Sequence, residues 1–179
     1  MEFQKLIEAR RSIRSYDDTK KVTEEQIRQL VEAAIQAPSW KNSQTARYYA
    51  VLSDEMRQKL AEECLPAFNI KNTHGAALVV TTFVENRSGY NKATGEPENE
   101  AGNGWGYYDM GLHNMLFVLK AKELGLDTLI TGIRDAEKVR AVLQIPENER
   151  VGAIIAVGYG TAEAVKPKRK EPEEILKIL

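Results

Sequence analysis

"YYDMGLHNMLFVLKAKELGLDTLITG", residues 107–132, is the stretch from which the rest of the chain can be laid out. From about Tyr107 to Leu124, the residues Tyr108, Leu112, Met115, Leu116 and Leu119 recur at helical spacing along one side, with Gly111 a point of close approach on that face. Gly125 is the expected end signal, since glycine adopts the left-handed backbone of a helix terminus without steric cost. "LDTLIT", 126–131, then reads as a strand. Downstream, Asp135 can cap a short helix through Leu143, and "RVGAIIAVGYG", 150–160, reads as a buried strand.

Upstream, "RYYAVLS" at 47–53 and "AALVVTTFV" at 76–84 are rich in β-branched and aromatic residues and read as strands, with a helix from about Glu55 to Cys64 between them. Unbroken apolarity in the second implies burial on both faces. Further back, Thr23 is a good N-cap with Gln26 three residues on and Val22 and Ile27 at the staple positions. Ile27, Leu30, Val31, Ala34 and Ile35 then form one apolar stripe, which Pro38 stops. Phe3, Leu6 and Ile7 suggest a first short helix that ends at a run of arginines.

Length and composition narrow the possibilities. The 179 residues suit one compact domain, and 42% hydrophobic with 28% charged residues is ordinary for a globular protein. A formal net charge of -1 argues against a nucleic-acid binder, which must neutralise many phosphates. One cysteine, Cys64, excludes an internal disulfide and a cysteine-ligated cluster, so a reducing cytoplasm is expected. No secretion signal or membrane span is read in the sequence, and His74 and His113 lack metal-ligand spacing, so no protein-held metal is expected. Two segments stand apart. Residues 85–106 are polar with five glycines and read as a lid-like loop. The tail opens with Lys166, Lys168, Arg169 and Lys170 and closes with Ile175, Leu176, Ile178 and Leu179, an apolar set that needs a partner to cover it.

Familiar catalytic patterns are missing. "GYGTAE" carries two glycines of a dinucleotide fingerprint, but Glu163 stands where a small residue must pack and no helix opens there. His113 reads as a satisfied helix histidine, His74 as a turn residue and Cys64 as an inert thiol. That leaves "RRSIR", in which Arg10, Arg11, Ser12 and Arg14 crowd together. It reads either as a solvated helix end or as an anion site, because guanidinium forks and a hydroxyl meet phosphate oxygens in charge-assisted hydrogen bonds. "APSWKNSQ" and "ELGLDTLITG" add a polar loop beside Trp40 and backbone amides at Thr131 and Gly132 that a flat ligand could approach.

In order and spacing, "RRSIRSYDD", "APSWKNSQ", "YYDMGLHNMLFVLKAKELGLDTLITG", "AIIAVGYG" and the "KPKRKEPEEIL" tail resemble the FMN-dependent nitroreductase family over nearly the whole chain. The resemblance implies an α+β fold, a mainly antiparallel central sheet flanked by helices, in an intertwined homodimer whose C-terminal extension, 163–179, embraces the partner. It implies that Arg10, Arg11, Ser12 and Arg14 bind FMN, with Arg10 and Ser12 at the phosphate and Arg14 toward the pyrimidine ring, and that Lys168 and Arg169 close round the same phosphate. Pro38, Ser39 and Asn42 would meet the flavin from the neighbouring subunit. Asn69 would contact the flavin edge, and Thr131 and Gly132 would lie near its N5. The activity implied is hydride transfer from NADH or NADPH to FMN and on to nitro compounds, quinones or similar small acceptors, by ping-pong kinetics and with no catalytic side chain. Other flavin reactions, or FMN storage or sensing, are the alternatives. The 85–106 loop, with Tyr90, Trp105 and Tyr107, is expected to choose acceptors.

Overall fold

The computed structural model describes residues 2–179. In chain order the elements are α1 (Phe3–Ala9), α2 (Glu24–Ala34), a short helical turn at Trp40–Asn42, β1 (Ala46–Val51), α3 (Asp54–Cys64), α4 (Ala67–Thr73), β2 (Ala77–Val84), α5 (Gly104–Glu123), β3 (Asp127–Thr131), α6 (Ala136–Leu143), β4 (Glu149–Gly158) and α7 (Pro172–Ile175). The four strands form one sheet in the order β1-β2-β4-β3, and every neighbouring pair is antiparallel. The expected α+β architecture is present.

Side-chain alternation splits the central strands between two cores. Leu78 and Val80 of β2 with Ile154 and Ala156 of β4 face α3 and α6, joining Leu60, Ala61 and Val139. Val79, Ile155 and Val157 point the other way, against Ile27, Leu30 and Ala34 of α2 and Phe117, Val118 and Ala121 of α5. Because β2 and β4 lie inside the sheet with helices on both sides, both of their faces must be apolar, as the unbroken run at 76–84 predicts.

Local chemistry sets the helix ends. Thr23 and Gln26 close a reciprocal capping box on α2, and Asp135 caps α6 by accepting from the Lys138 N–H. Gly125 takes φ +76° just past α5. Two findings depart from expectation. Helix α4 carries no clear period and is not predicted from the sequence. On α5 the buried residues include Asp109, Met110, His113, Asn114, Phe117, Val118 and Ala121 together with Leu119 of the expected stripe, while Tyr108 and Met115 of that stripe are exposed. Both sides of α5 are apolar, so periodicity could not show which one meets the sheet. Among the described residues, no helix is long and apolar enough to cross a membrane.

Candidate functional site

The arginine segment follows α1 in an extended conformation. Ser12 bridges Thr128 in parallel along β3, and the Ile13 N–H donates to the Thr128 carbonyl at 3.0 Å. Four residues later the chain crosses to the end of β4, where the Asp17 N–H donates to the Tyr159 carbonyl at 2.9 Å and the Thr161 N–H to the Ser15 carbonyl at 3.0 Å. Ile13 and Tyr16 sink into the core, which turns Ser12 and Arg14 outward. This packing accounts for the "GYG" that resembled half a dinucleotide fingerprint. A Cβ on Gly160 would lie 2.5 Å from Asp127 Oδ2 and 3.0 Å from Ile13 Cγ2, so glycine is needed for the crossing chain to lie against the strand end.

Charge at this corner is unbalanced. Arg11 donates to the Arg10 carbonyl at 2.6 Å, Arg14 to the Ser12 carbonyl at 3.3 Å and Arg169 to the Pro167 carbonyl at 3.3 Å. Among the described residues, none of these guanidinium groups, nor Lys168, has a carboxylate within ion-pair distance. Asp127, which lines a cleft of about 320 Å³ with Arg11, is held instead by Lys122 at 2.8 Å. Burial first, and then the neighbouring Arg11 and Arg169, push the Arg10 guanidinium below its usual value. Cations crowded together without carboxylate partners would be relieved by an anion. The tail thus brings Arg169 near Arg10 and Arg11, although residues 161–179 are exposed throughout and leave Ile175, Leu176, Ile178 and Leu179 uncovered.

At the opposite end of β3, Thr131 is buried and its hydroxyl donates to the Ile154 carbonyl at 2.8 Å, so only its backbone is free to meet a ligand. The space above Gly132 is open. Asn69, buried on α4, donates from its amide to the Ile133 carbonyl at 3.1 Å and so anchors this turn. Exposed Phe68 and Ile133 flank it with apolar surface. From Thr128, which pairs with Ser12, to Gly132 is four strand residues, about 13 Å. A molecule spanning both ends would be elongated, with its anionic group at the arginines and its apolar part beside Gly132.

Pro38, Ser39 and Asn42 lie elsewhere. Their loop leans on the N-terminal end of α5, where the Trp40 N–H donates to Asp109 Oδ2 at 3.0 Å, whereas Arg11 shares its cleft with Lys122 near the other end. Thirteen helical residues separate Asp109 from Lys122, about 20 Å. Within one chain the predicted residues therefore form two sets rather than one. Lys41, Asn42 and Gln44 have φ of 46°, 53° and 50°, left-handed values that cost a non-glycine residue about 1 kcal/mol or more. Such strain collects at ligand-binding loops and persists where surrounding contacts enforce it. Those contacts come from Ser88, Glu98, Trp105 and Asp109, none of which the sequence singled out as supports of this loop. The one usable signal was Asp109 itself, the one acid among the core-facing residues of α5.

Other titratable groups match their structural readings. His113 is buried with Nδ1 2.9 Å from the Asp109 carbonyl. Burial, aided by Glu63 and Asp135, pushes the Cys64 thiol up to about 11, which keeps it protonated and unreactive near neutrality.

The arrangement has known counterparts. A Streptococcus pneumoniae nitroreductase family protein superposes with a TM-score of 0.84 at 22% identity, covering 99% of this chain and 100% of that one. An Exiguobacterium sibiricum protein solved in complex with FMN gives 0.84 at 20% identity, over 99% and 97% of the two chains. By sequence, the Bacillus subtilis protein named "Putative NAD(P)H nitroreductase MhqN" is 24% identical over 99% of both chains. The DrgA protein of Synechocystis is 24% identical over 89% of this chain and 85% of its own. The nitroreductase family model matches residues 7–159, which run from the arginine segment through the last core strand. The fold, the crossing chain at the arginines and this continuous match lead to one conclusion: the chain belongs to the nitroreductase family.

Proposed function

We propose that this protein is an FMN-dependent oxidoreductase that takes hydride from NADH or NADPH and delivers reducing equivalents to nitro compounds, quinones or similar small acceptors by a ping-pong mechanism. The observation that carries this reading is the uncompensated guanidinium cluster at one end of β3, about 13 Å along the strand from the open backbone of Gly132. FMN has a matching form, with a phosphate dianion at the end of a ribityl chain and a flat ring beyond it. When bound, it supplies an N5 that accepts hydride and a ring system that returns the electrons.

The chain's own groups supply binding and orientation. Arg10, Arg11 and Ser12, with Lys168 and Arg169 from the tail, would hold the phosphate, and Arg14 would lie toward the pyrimidine ring, where a cation favours the anionic reduced state. The Thr131–Gly132 backbone would border the reactive edge, with the turn held by Asn69. Vacant apolar surface at Phe68 and Ile133 would let donor and acceptor occupy the same place in turn, the basis of the ping-pong order.

Pro38, Ser39 and Asn42 would complete the site from a second copy of the chain, since in their own chain they sit by the opposite end of α5 from Arg11. The exposed apolar outer face of α5, at Tyr108 and Met115, and the uncovered tail support a homodimer. Purified protein tests the reading directly. A yellow preparation, or stoichiometric FMN uptake, should be followed by bleaching with NADH or NADPH and recovery of the flavin spectrum with a nitroaromatic or quinone. Protein that takes up no FMN refutes the proposal. Flavin that NAD(P)H cannot reduce would instead mark a storage or sensing protein.

A further inference from the structure

Residues 85–106 are fastened to the 38–44 loop at three levels. Deepest is Asp109, whose Oδ2 accepts from the Trp40 N–H at 3.0 Å and from the buried Ser88 hydroxyl at 2.6 Å. With its single proton committed to the carboxylate, Ser88 Oγ accepts from the Ser43 hydroxyl at 2.7 Å and the Thr45 hydroxyl at 3.2 Å. Next come the rings: Trp40 and Trp105 stand 4.5 Å apart between centroids, and Trp105 meets Tyr108 edge-on at 5.3 Å. Gly89 makes room for this contact, since a Cβ there would lie 2.7 Å from Trp105 Cδ1. Outermost is Glu98, whose two carboxylate oxygens both accept from Lys41 Nζ at 2.6 Å, while Oε2 also accepts from Trp40 Nε1 at 3.3 Å.

These bonds end on the residues that bracket the strained backbone, at Trp40, Lys41 and Ser43. A loop with three left-handed non-glycine residues does not keep that shape unaided. We propose that Glu98, Trp105 and Asp109 are positioning residues, forming a latch through which segment 85–106 holds Ser39 and Asn42 in place for FMN. The inference rests on the reading that these two residues meet FMN in the paired subunit. It gives the segment a second task, because the piece of chain expected to choose acceptors then also governs cofactor retention.

The chain has two tryptophans, and both lie in the latch, so their exciton couplet in circular dichroism reads its closure without any ligand. The test compares wild type with Glu98→Ala, Glu98→Gln and the control Glu100→Ala. FMN dissociation constants are measured by flavin fluorescence with no acceptor present, beside acceptor KM and kcat. Glu98→Ala should lose the couplet and bind FMN about tenfold more weakly. Glu98→Gln keeps an acceptor for Trp40 and should stay within about threefold of wild type, with Glu100→Ala unchanged. Wild-type FMN affinity in Glu98→Ala, with only acceptor KM altered, overturns the inference while leaving the oxidoreductase reading standing. If wild type itself binds no FMN, the functional reading fails and the couplet alone decides: its persistence in Glu98→Ala overturns the latch, and its loss upholds it.

Discussion

The two sets of candidate residues are opposites in construction. Around Arg10, Arg11 and Arg169 there is surplus charge, and the Arg11 and Arg169 guanidinium groups bond to backbone carbonyls in place of carboxylates. Around Trp40 nearly every polar group is satisfied, and the backbone itself is under strain. On the proposed reading a ligand would complete the first region. The second is held by contacts within the chain. An anion would stabilise the first through charges that otherwise repel, whereas contacts built into the fold hold the second.

The largest effect should come from the charged half. Arg10→Glu replaces a phosphate-binding cation with an anion, and FMN retention should fall by about a thousandfold, about 4 kcal/mol. The flavin absorbance of the purified variant measures this, and size-exclusion chromatography should still report the wild-type assembly. Undiminished flavin content would remove Arg10 from the site and erase the contrast.

Asp109→Ala probes the satisfied half. It orphans the Trp40 N–H and the Ser88 hydroxyl, so the fold should lose about 2–3 kcal/mol in chemical denaturation. Stability equal to wild type would mean that the network does not hold the loop. A smaller change of opposite sign is expected for Gln44→Gly. Relief of the left-handed backbone outweighs glycine's extra unfolded-state entropy, for a net gain of about 0.5–1 kcal/mol in the same assay. A loss there would show that Gln44 is not strained.

The smallest effect is one of pH. The Lys41 hydrogen bond holds the Glu98 carboxyl below its ordinary value; burial, the next largest influence, opposes it, and the Lys41 charge and the Trp40 hydrogen bond add to the lowering. A depressed carboxyl contributes above its unfolded pKa, about 4.3, and ceases to do so as pH falls through the lower folded value. The tryptophan couplet should therefore stay constant from neutrality down to about pH 5 and weaken only below that range. A transition near pH 6 would point to a different group.

How far each region could be read beforehand follows from the same contrast. Arg10, Arg11, Ser12 and Arg14 announce themselves as a candidate anion site because such a site needs particular residue types, and here they stand close together in sequence. The capping box at Thr23 and the stop at Gly125 are legible for a related reason, since both depend on sterics within one turn of chain. Helix α4 was missed because seven residues of mixed polarity show no period. The α5 stripe was read without knowing that much of it faces outward, since both flanks are apolar. The latch left little trace, because it joins Trp40 to partners 58 and 69 residues away, Glu98 and Asp109.

Sequence alone determined the order of the four strands and most of the helices, the doubly buried centre of the sheet and the clustering of cations at residues 10–14. Each of these follows from backbone sterics and side-chain chemistry acting over a few residues. Tertiary structure alone decided which face of α5 meets the sheet, that the loop of Ser39 and Asn42 sits by the opposite end of α5 from Arg11, and that segment 85–106 grips their loop. Those outcomes depend on how layers pack, and packing brings together groups that no local pattern connects.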